Sequence, residues 1–177
     1  QAFRSLIPES VAGLVPGTAF ETAGVGFNQS LPSGTWFGAE AEQLNSNGER
    51  DVGAFSSFAV LLVPQTATTT RETLDFREHS LTAYAGQLLG KNFSVGARYR
   101  VSEAKLRERF PAIPDSAIGL DQLESDKRAR LQQLSLTANF HHACGVFAQW
   151  ETAWYHQNNS GFNPSTPGDD FWQHNLL

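Results

Sequence analysis

The sequence predicts an all-β fold: an antiparallel up-and-down meander, part of a transmembrane β-barrel with short periplasmic turns and long extracellular loops. Three observations predict it. Side chains alternate apolar and polar over several stretches, as a half-buried strand requires. Short turns and long polar connections alternate strictly along the chain. The polar rows carry charges that a dry core would not accept, such as Arg98 and Arg100 opposite Phe93, Val95, Ala97, Tyr99 and Val101.

The elements follow in order. Residues 1–18 hold Pro8, Gly13, Pro16 and Gly17, and are expected to form an entering loop or arm. From Ala19 to Ser30, Ala23, Val25 and Phe27 oppose Gly24, Gly26 and Asn28. Leu31-Pro32-Ser33-Gly34 is a compact turn signal. From Thr35 to Gln43, Phe37, Ala39 and Ala41 oppose Trp36, Gly38, Glu40 and Glu42. Residues 44–72 are expected to be a long loop, in which Phe58 to Val63 is a further strand or a folded-over segment. Leu74 to Leu89 and Lys91 to Ser102 form a second hairpin about Gly90-Lys91-Asn92.

A second long loop is expected over 103–130, broken by Pro111 and Pro114. A helix competes there, because Leu120, Leu123, Lys127, Leu131 and Leu134 also fit helical spacing. Leu131 to His142 and Val146 to Gln157 form a third hairpin about Ala143-Cys144-Gly145. The third long loop is 158–170, and Phe171 to Leu177 starts a further strand. Strands of ~9–11 residues suffice to cross the apolar layer of a membrane when tilted.

Composition narrows the function classes. The chain has 177 residues, 40 % of them hydrophobic, and a net charge of −5. Its mean hydropathy is −0.33. No apolar run reaches the ~18 residues of a membrane helix, which leaves a strand-built membrane protein open. No basic block invites nucleic acid. The single Cys144 allows no internal disulfide and no multi-cysteine metal site, and suits a small residue in a tight turn. The chain contains no Met, and we expect it to be a piece of a longer protein, with further barrel strands elsewhere in that protein. A closed bacterial barrel has an even strand number of at least ~8.

The segment PGTAFETAGVGFNQSLPSGTWFGAEAEQLNS, with the paired strands after it, resembles the barrel strands of bacterial outer-membrane proteins of the TonB-dependent receptor and porin type. It looks most like receptor-like barrels fused to tetratricopeptide-repeat domains. The resemblance covers most of the chain as architecture, and no plug, TonB box or terminal recognition strand accompanies it. It implies passage or receptor-type uptake of a solute across the outer membrane of a Gram-negative bacterium. The implied partners are outer-membrane lipid, the remaining barrel strands, and a TonB-type energising system or a surface ligand. No cofactor and no enzymatic activity are implied.

The expected lumen lining is Glu40, Glu42, Arg98, Arg100, Gln133, Asn139, Gln149 and Glu151. The carboxylates are expected to pair with the arginines or to tune ion selectivity. Trp36, Tyr84, Tyr99, Trp150, Trp154, Tyr155 and Trp172 are expected at the membrane interfaces. His79, His141, His142, His156 and His174 show no metal-binding spacing. A membrane-embedded hydrolase would have to use a serine such as Ser94 or Ser135 with His141, without a nucleophile elbow. A soluble all-β ligand-binding module, such as a sandwich or lipocalin-like barrel, satisfies the same alternation with its apolar rows on a core.

Overall fold

A computed structural model describes residues 19–57, 64–114 and 123–177. They form one antiparallel sheet of seven strands whose spatial order is their sequence order. The strands are β1 (Ala19–Ser30), β2 (Thr35–Ser57), β3 (Pro64–Leu89), β4 (Phe93–Arg109), β5 (Ser125–His141), β6 (Phe147–Ser160) and β7 (Asp170–Leu176). Among the described residues β1 and β7 are edges. The predicted antiparallel meander is therefore observed.

The three short turns fall where the sequence puts them. The first closes with the Leu31 amide donating to the Thr35 carbonyl at 2.8 Å. The third closes with the His142 amide donating to the Val146 carbonyl at 2.8 Å. Gly34 at φ 78° and Gly145 at φ 92° take the left-handed conformation that a side chain disfavours. The expected arm over 1–18 and the segment Phe58 to Val63 lie outside the described residues.

The long connections are shorter than expected. Residues 44–57 and 64–72 are strand, not loop. Their Asn, Gly and charged residues favour turns in isolation, but pairing of β2 with β3 continues from Thr35↔Gln87 to Ser57↔Pro64. Tertiary pairing overrides local preference. Likewise β4 runs on to Arg109, and β5 starts at Ser125. Leu131 and Leu134 are thus strand residues, while Leu120 lies outside the described residues. The 158–170 loop narrows to 161–169, because Asn158 to Ser160 still pair with β5.

Register divides the sheet into two faces. One carries Glu40, Thr82, Arg100, Gln133 and Tyr155 in one row. The other carries Ala41, Leu81, Val101, Gln132 and His156 in the next row. We call these the Glu40 face and the Phe37 face, and call the end with short turns proximal.

Polarity exchanges between the faces partway along the strands. In the proximal half the Phe37 face is greasy and exposed: Val25 is 76 % exposed, Phe27 57 %, Leu81 50 % and Trp172 55 %. Beyond the row Gln43–His79–Glu103–Arg130, the same face turns charged. There the Glu40 face becomes the packed one. Leu74, Phe76, Ala104, Leu106 and Ala129 are buried on it, with Leu44 against them. Two ion pairs border this cluster: Arg50 with Glu72, and Lys127 with Glu108 at 2.9 Å. Ser125 Oγ also donates to Glu108. The hydrogen bond to Glu72 raises the Arg50 pKa above its ordinary value, outweighing the opposing effect of burial.

The faces predict different costs of truncation. Leu106→Ala is expected to destabilise the chain by about 2–5 kcal/mol, by lost burial and a residual cavity. Leu81→Ala, on the exposed face, is expected to cost under ~1 kcal/mol. Urea unfolding under matched conditions measures both, and equal costs would contradict the face assignment.

Candidate functional site

The proximal Glu40 face holds an open cavity of about 450 Å³ spanning β2 to β6. Its polar walls are Arg98, Arg100, Gln133, Ser135, Thr137 and Glu151, and Trp36 and Tyr84 close one side.

Two glycines make room for those aromatics. Trp36 pairs across the ladder with Gly86, and Tyr84 with Gly38. A Cβ on Gly86 would overlap the Trp36 indole, and one on Gly38 would overlap the Tyr84 phenol. Each aromatic side chain therefore occupies the space over its partner's bare backbone. This crossed pair holds both rings low on the sheet and leaves the cavity open above β4 and β5.

The eight residues expected to line a lumen all lie on this face. Glu40, Glu42, Arg98 and Gln149 are exposed, and Arg100, Gln133, Asn139 and Glu151 are half-buried. Arg100 Nε donates to Ser102 Oγ at 3.2 Å. Gln133 Nε2 lies 3.4 Å from both Ser135 Oγ and the Tyr155 hydroxyl, and donates to them. Asn139 Nδ2 donates to Ser94 Oγ at 3.4 Å. The expected pairing of Glu40 and Glu42 with Arg98 and Arg100 is not formed. No ion pair within 4.0 Å joins them, among the described residues. The register gives the reason: β3 stands between β2 and β4, so Glu40 meets Thr82 before Arg100. Two strand spacings of ~4.8 Å separate the acidic pair from the basic pair.

The seven aromatics expected at the interfaces do not form one set. Tyr99, Trp150, Trp154 and Trp172 lie on the Phe37 face, whereas Trp36, Tyr84 and Tyr155 lie on the Glu40 face. Proximity to a strand end grouped them, and the period-two alternation separates them. Tyr155 stacks on Phe171 with centroids 5.0 Å apart.

The Phe37 face also carries an aromatic ladder that the sequence reading did not single out. Trp154 stacks on His156 at 5.8 Å, and Trp172 on His174 at 6.3 Å. The two indoles lie 6.4 Å apart across the β6–β7 pair. Trp154 Nε1 donates to Asp170 Oδ1 at 2.7 Å, and His156 Nδ1 sits 3.3 Å from Asp170 Oδ2. The signal was available as a repeated Trp-x-His, in Trp154-Tyr155-His156 and Trp172-Gln173-His174. Tyr99 joins this face through its hydroxyl, which donates to Gln132 Oε1 at 2.8 Å.

Among the described residues no three His, Cys, Asp or Glu side chains are placed to hold a metal ion. Cys144 is exposed in the third turn, with His142 Nδ1 2.9 Å from its sulfur. Ser135 and His141 lie six positions apart on β5, about 20 Å along an extended strand, so they form no catalytic pair.

Comparison with known proteins gives no relative: no family model, curated protein or solved structure significantly matches this chain.

The crossed aromatic pair predicts a position-specific effect of a branched side chain. Gly86→Val is expected to destabilise by about 1–3 kcal/mol, because it must lift the Trp36 ring. Gly53→Val has nothing within 4 Å of its new Cβ and is expected to be close to neutral. Chemical unfolding measures the difference. In a chain keeping Trp36 as its only indole, Gly86→Val should also shift the emission maximum.

Proposed function

We propose that this chain is barrel wall of an outer-membrane transport protein, with its proximal Phe37 face against lipid and its proximal Glu40 face lining a polar passage. The observation that carries the reading is the exchange of polarity between faces at one row. A chain in a single solvent needs only one inside and one outside. Here the proximal half presents a greasy band bearing Val25, Phe27, Leu81, Phe93, Trp150 and Trp172 to the exterior. Water-soluble monomers rarely expose so many large apolar side chains on one face. The distal half presents charge outward and packs Leu106 and Phe76 inward, as a wall standing in water does.

Dimensions support the same reading. On β4 the band runs from Phe93 to Val101, which fits a tilted crossing of the apolar layer. Tyr99 and Trp154, whose hydroxyl and indole N–H are engaged by Gln132 and Asp170, suit the margin of the apolar layer. The cavity around Arg98, Arg100 and Glu151 offers charge of both signs to a passing polar solute. The activity is then solute passage or receptor-type uptake rather than catalysis, and the resemblance to TonB-dependent receptor and porin barrels belongs to this proposal. A soluble ligand-binding module is favoured by the distal half alone, where packing and charge follow the rule for water.

Tryptophan quenching by brominated lipid tests the two readings. The full chain is refolded into vesicles as single-indole variants. Emission from Trp150, Trp154 and Trp172 should be strongly quenched, and emission from Trp36 should not. A cooperatively melting monomer in buffer without detergent, with no indole quenched on adding vesicles, would sink the membrane reading in favour of the soluble one.

A further inference from the structure

Just distal to the greasy band, β3, β4 and β5 set three rows of charge on the Phe37 face. The middle row is Arg77–Lys105–Arg128, three cations directly opposite one another across two strand pairs. The row distal to it contributes Arg107 between Asp75 and Asp126, and the row proximal to it contributes Arg130 beside Glu103 and His79. Five cations thus face three carboxylates, in a chain whose net charge is −5. Like charges directly opposite in a ladder destabilise a sheet. Arg77 and Lys105 each lean on a carboxylate of their own strand, Asp75 at 3.2 Å and Glu103 at 3.0 Å. Arg128 and Arg130 make no ion pair within 4.0 Å among the described residues. The flanking residues in these two rows on β2 and β6 are uncharged: Asn45 and Gln43, Ser160 and Asn158. Hydrogen bonding from Lys105 holds the Glu103 carboxyl below its ordinary range against the opposing effect of burial, and the fields of Arg130 and Arg128 add to it.

We propose that this cation row is a docking surface for the phosphate groups of anionic lipid headgroups. The inference rests on the membrane reading given above. Position argues for the lipid. The row lies four residues beyond the last apolar row of β3 and β4, Leu81 with Val101. That is ~13 Å along a strand, or roughly 9 Å in height on a strand tilted ~45°. The headgroup layer beyond the apolar core occupies that level. Chemistry argues for phosphate: an array of guanidinium and ammonium donors about 10 Å across matches clustered oxyanions. A shallow cavity of about 290 Å³ runs along the row, with Arg77, Lys105, Arg107 and Arg128 in its wall. Bound phosphate would relieve the repulsion within the row.

The test compares the full chain refolded into phosphatidylcholine vesicles with the same chain in vesicles that also contain phosphatidylglycerol. Thermal unfolding is followed for the parent, for Lys105→Gln/Arg128→Gln, and for Arg71→Gln/Lys91→Gln, which removes equal charge elsewhere. The parent should gain thermal stability from the anionic lipid. The row variant should lose roughly 4–8 °C of that gain, while the control variant keeps it. In phosphatidylcholine alone the row variant should be at least as stable as the parent. The inference is overturned if the row variant keeps the full gain, or if the parent shows none. It is also overturned if inorganic phosphate, at an ionic strength matched with chloride, abolishes the gain, because the occupant is then free phosphate. Failure to fold into either vesicle would instead overturn the membrane reading, and this inference with it.

Discussion

The period-two alternation of the strand is the constraint on which the rest depends. Every side chain of the sheet belongs to one of two faces, and no residue can change face without a slip in register. On β2 to β5 this chain uses that rigidity twice, with opposite sign. Proximal to the row Gln43–His79–Glu103–Arg130 the Phe37 face is apolar; distal to it that face turns polar and charged, and the Glu40 face buries Leu74, Phe76, Ala104, Leu106 and Ala129 beside Ser46, Glu72, Glu78 and Ser102. The exchange occurs at the same row across neighbouring strands. Four independent stretches of sequence therefore agree on one height. Local turn preference does not produce such agreement.

Much of this was legible in the sequence. The alternation around Phe37, Leu81, Phe93 and Leu134 gave the strands and their faces. The signals Leu31-Pro32-Ser33-Gly34, Gly90-Lys91-Asn92 and Ala143-Cys144-Gly145 gave the turns, because each packs turn-forming residues between patterned runs. The distal half was misread as loop for a physical reason. In Asn45 to Asp51 and Thr68 to Glu72 the side chains on the Phe37 face are polar, and those on the Glu40 face include Ser46, Gly48 and Arg50. An alternation with polar residues on both faces carries little contrast. Only the partner strand, with Leu74 and Phe76, reveals the inside.

The site residues divide in the same way. Parity along a strand was enough to place Glu40, Glu42, Arg98, Arg100, Gln133, Asn139, Gln149 and Glu151 on a common face. Their mutual distances were not legible, because they depend on which strand lies between. The interposed β3 keeps the acidic and basic pairs apart. The reciprocal fit of Trp36 over Gly86 and Tyr84 over Gly38 was equally hidden. It needs the register that pairs residues some fifty positions apart in the chain.

The single-row exchange also governs how such a chain can vary in length. Deleting one residue from a strand between its short turn and the boundary reverses every face assignment in the shifted segment, and sets charged residues among greasy ones on both faces at once. Deleting two residues keeps the faces and only moves the boundary down by one step on that strand. Strands of this kind can therefore lengthen or shorten in pairs of residues but not singly, whereas the connection over 161–169 escapes the parity rule. Insertions and deletions tolerated by these strands should thus be even in number, a signature written in sequence length alone.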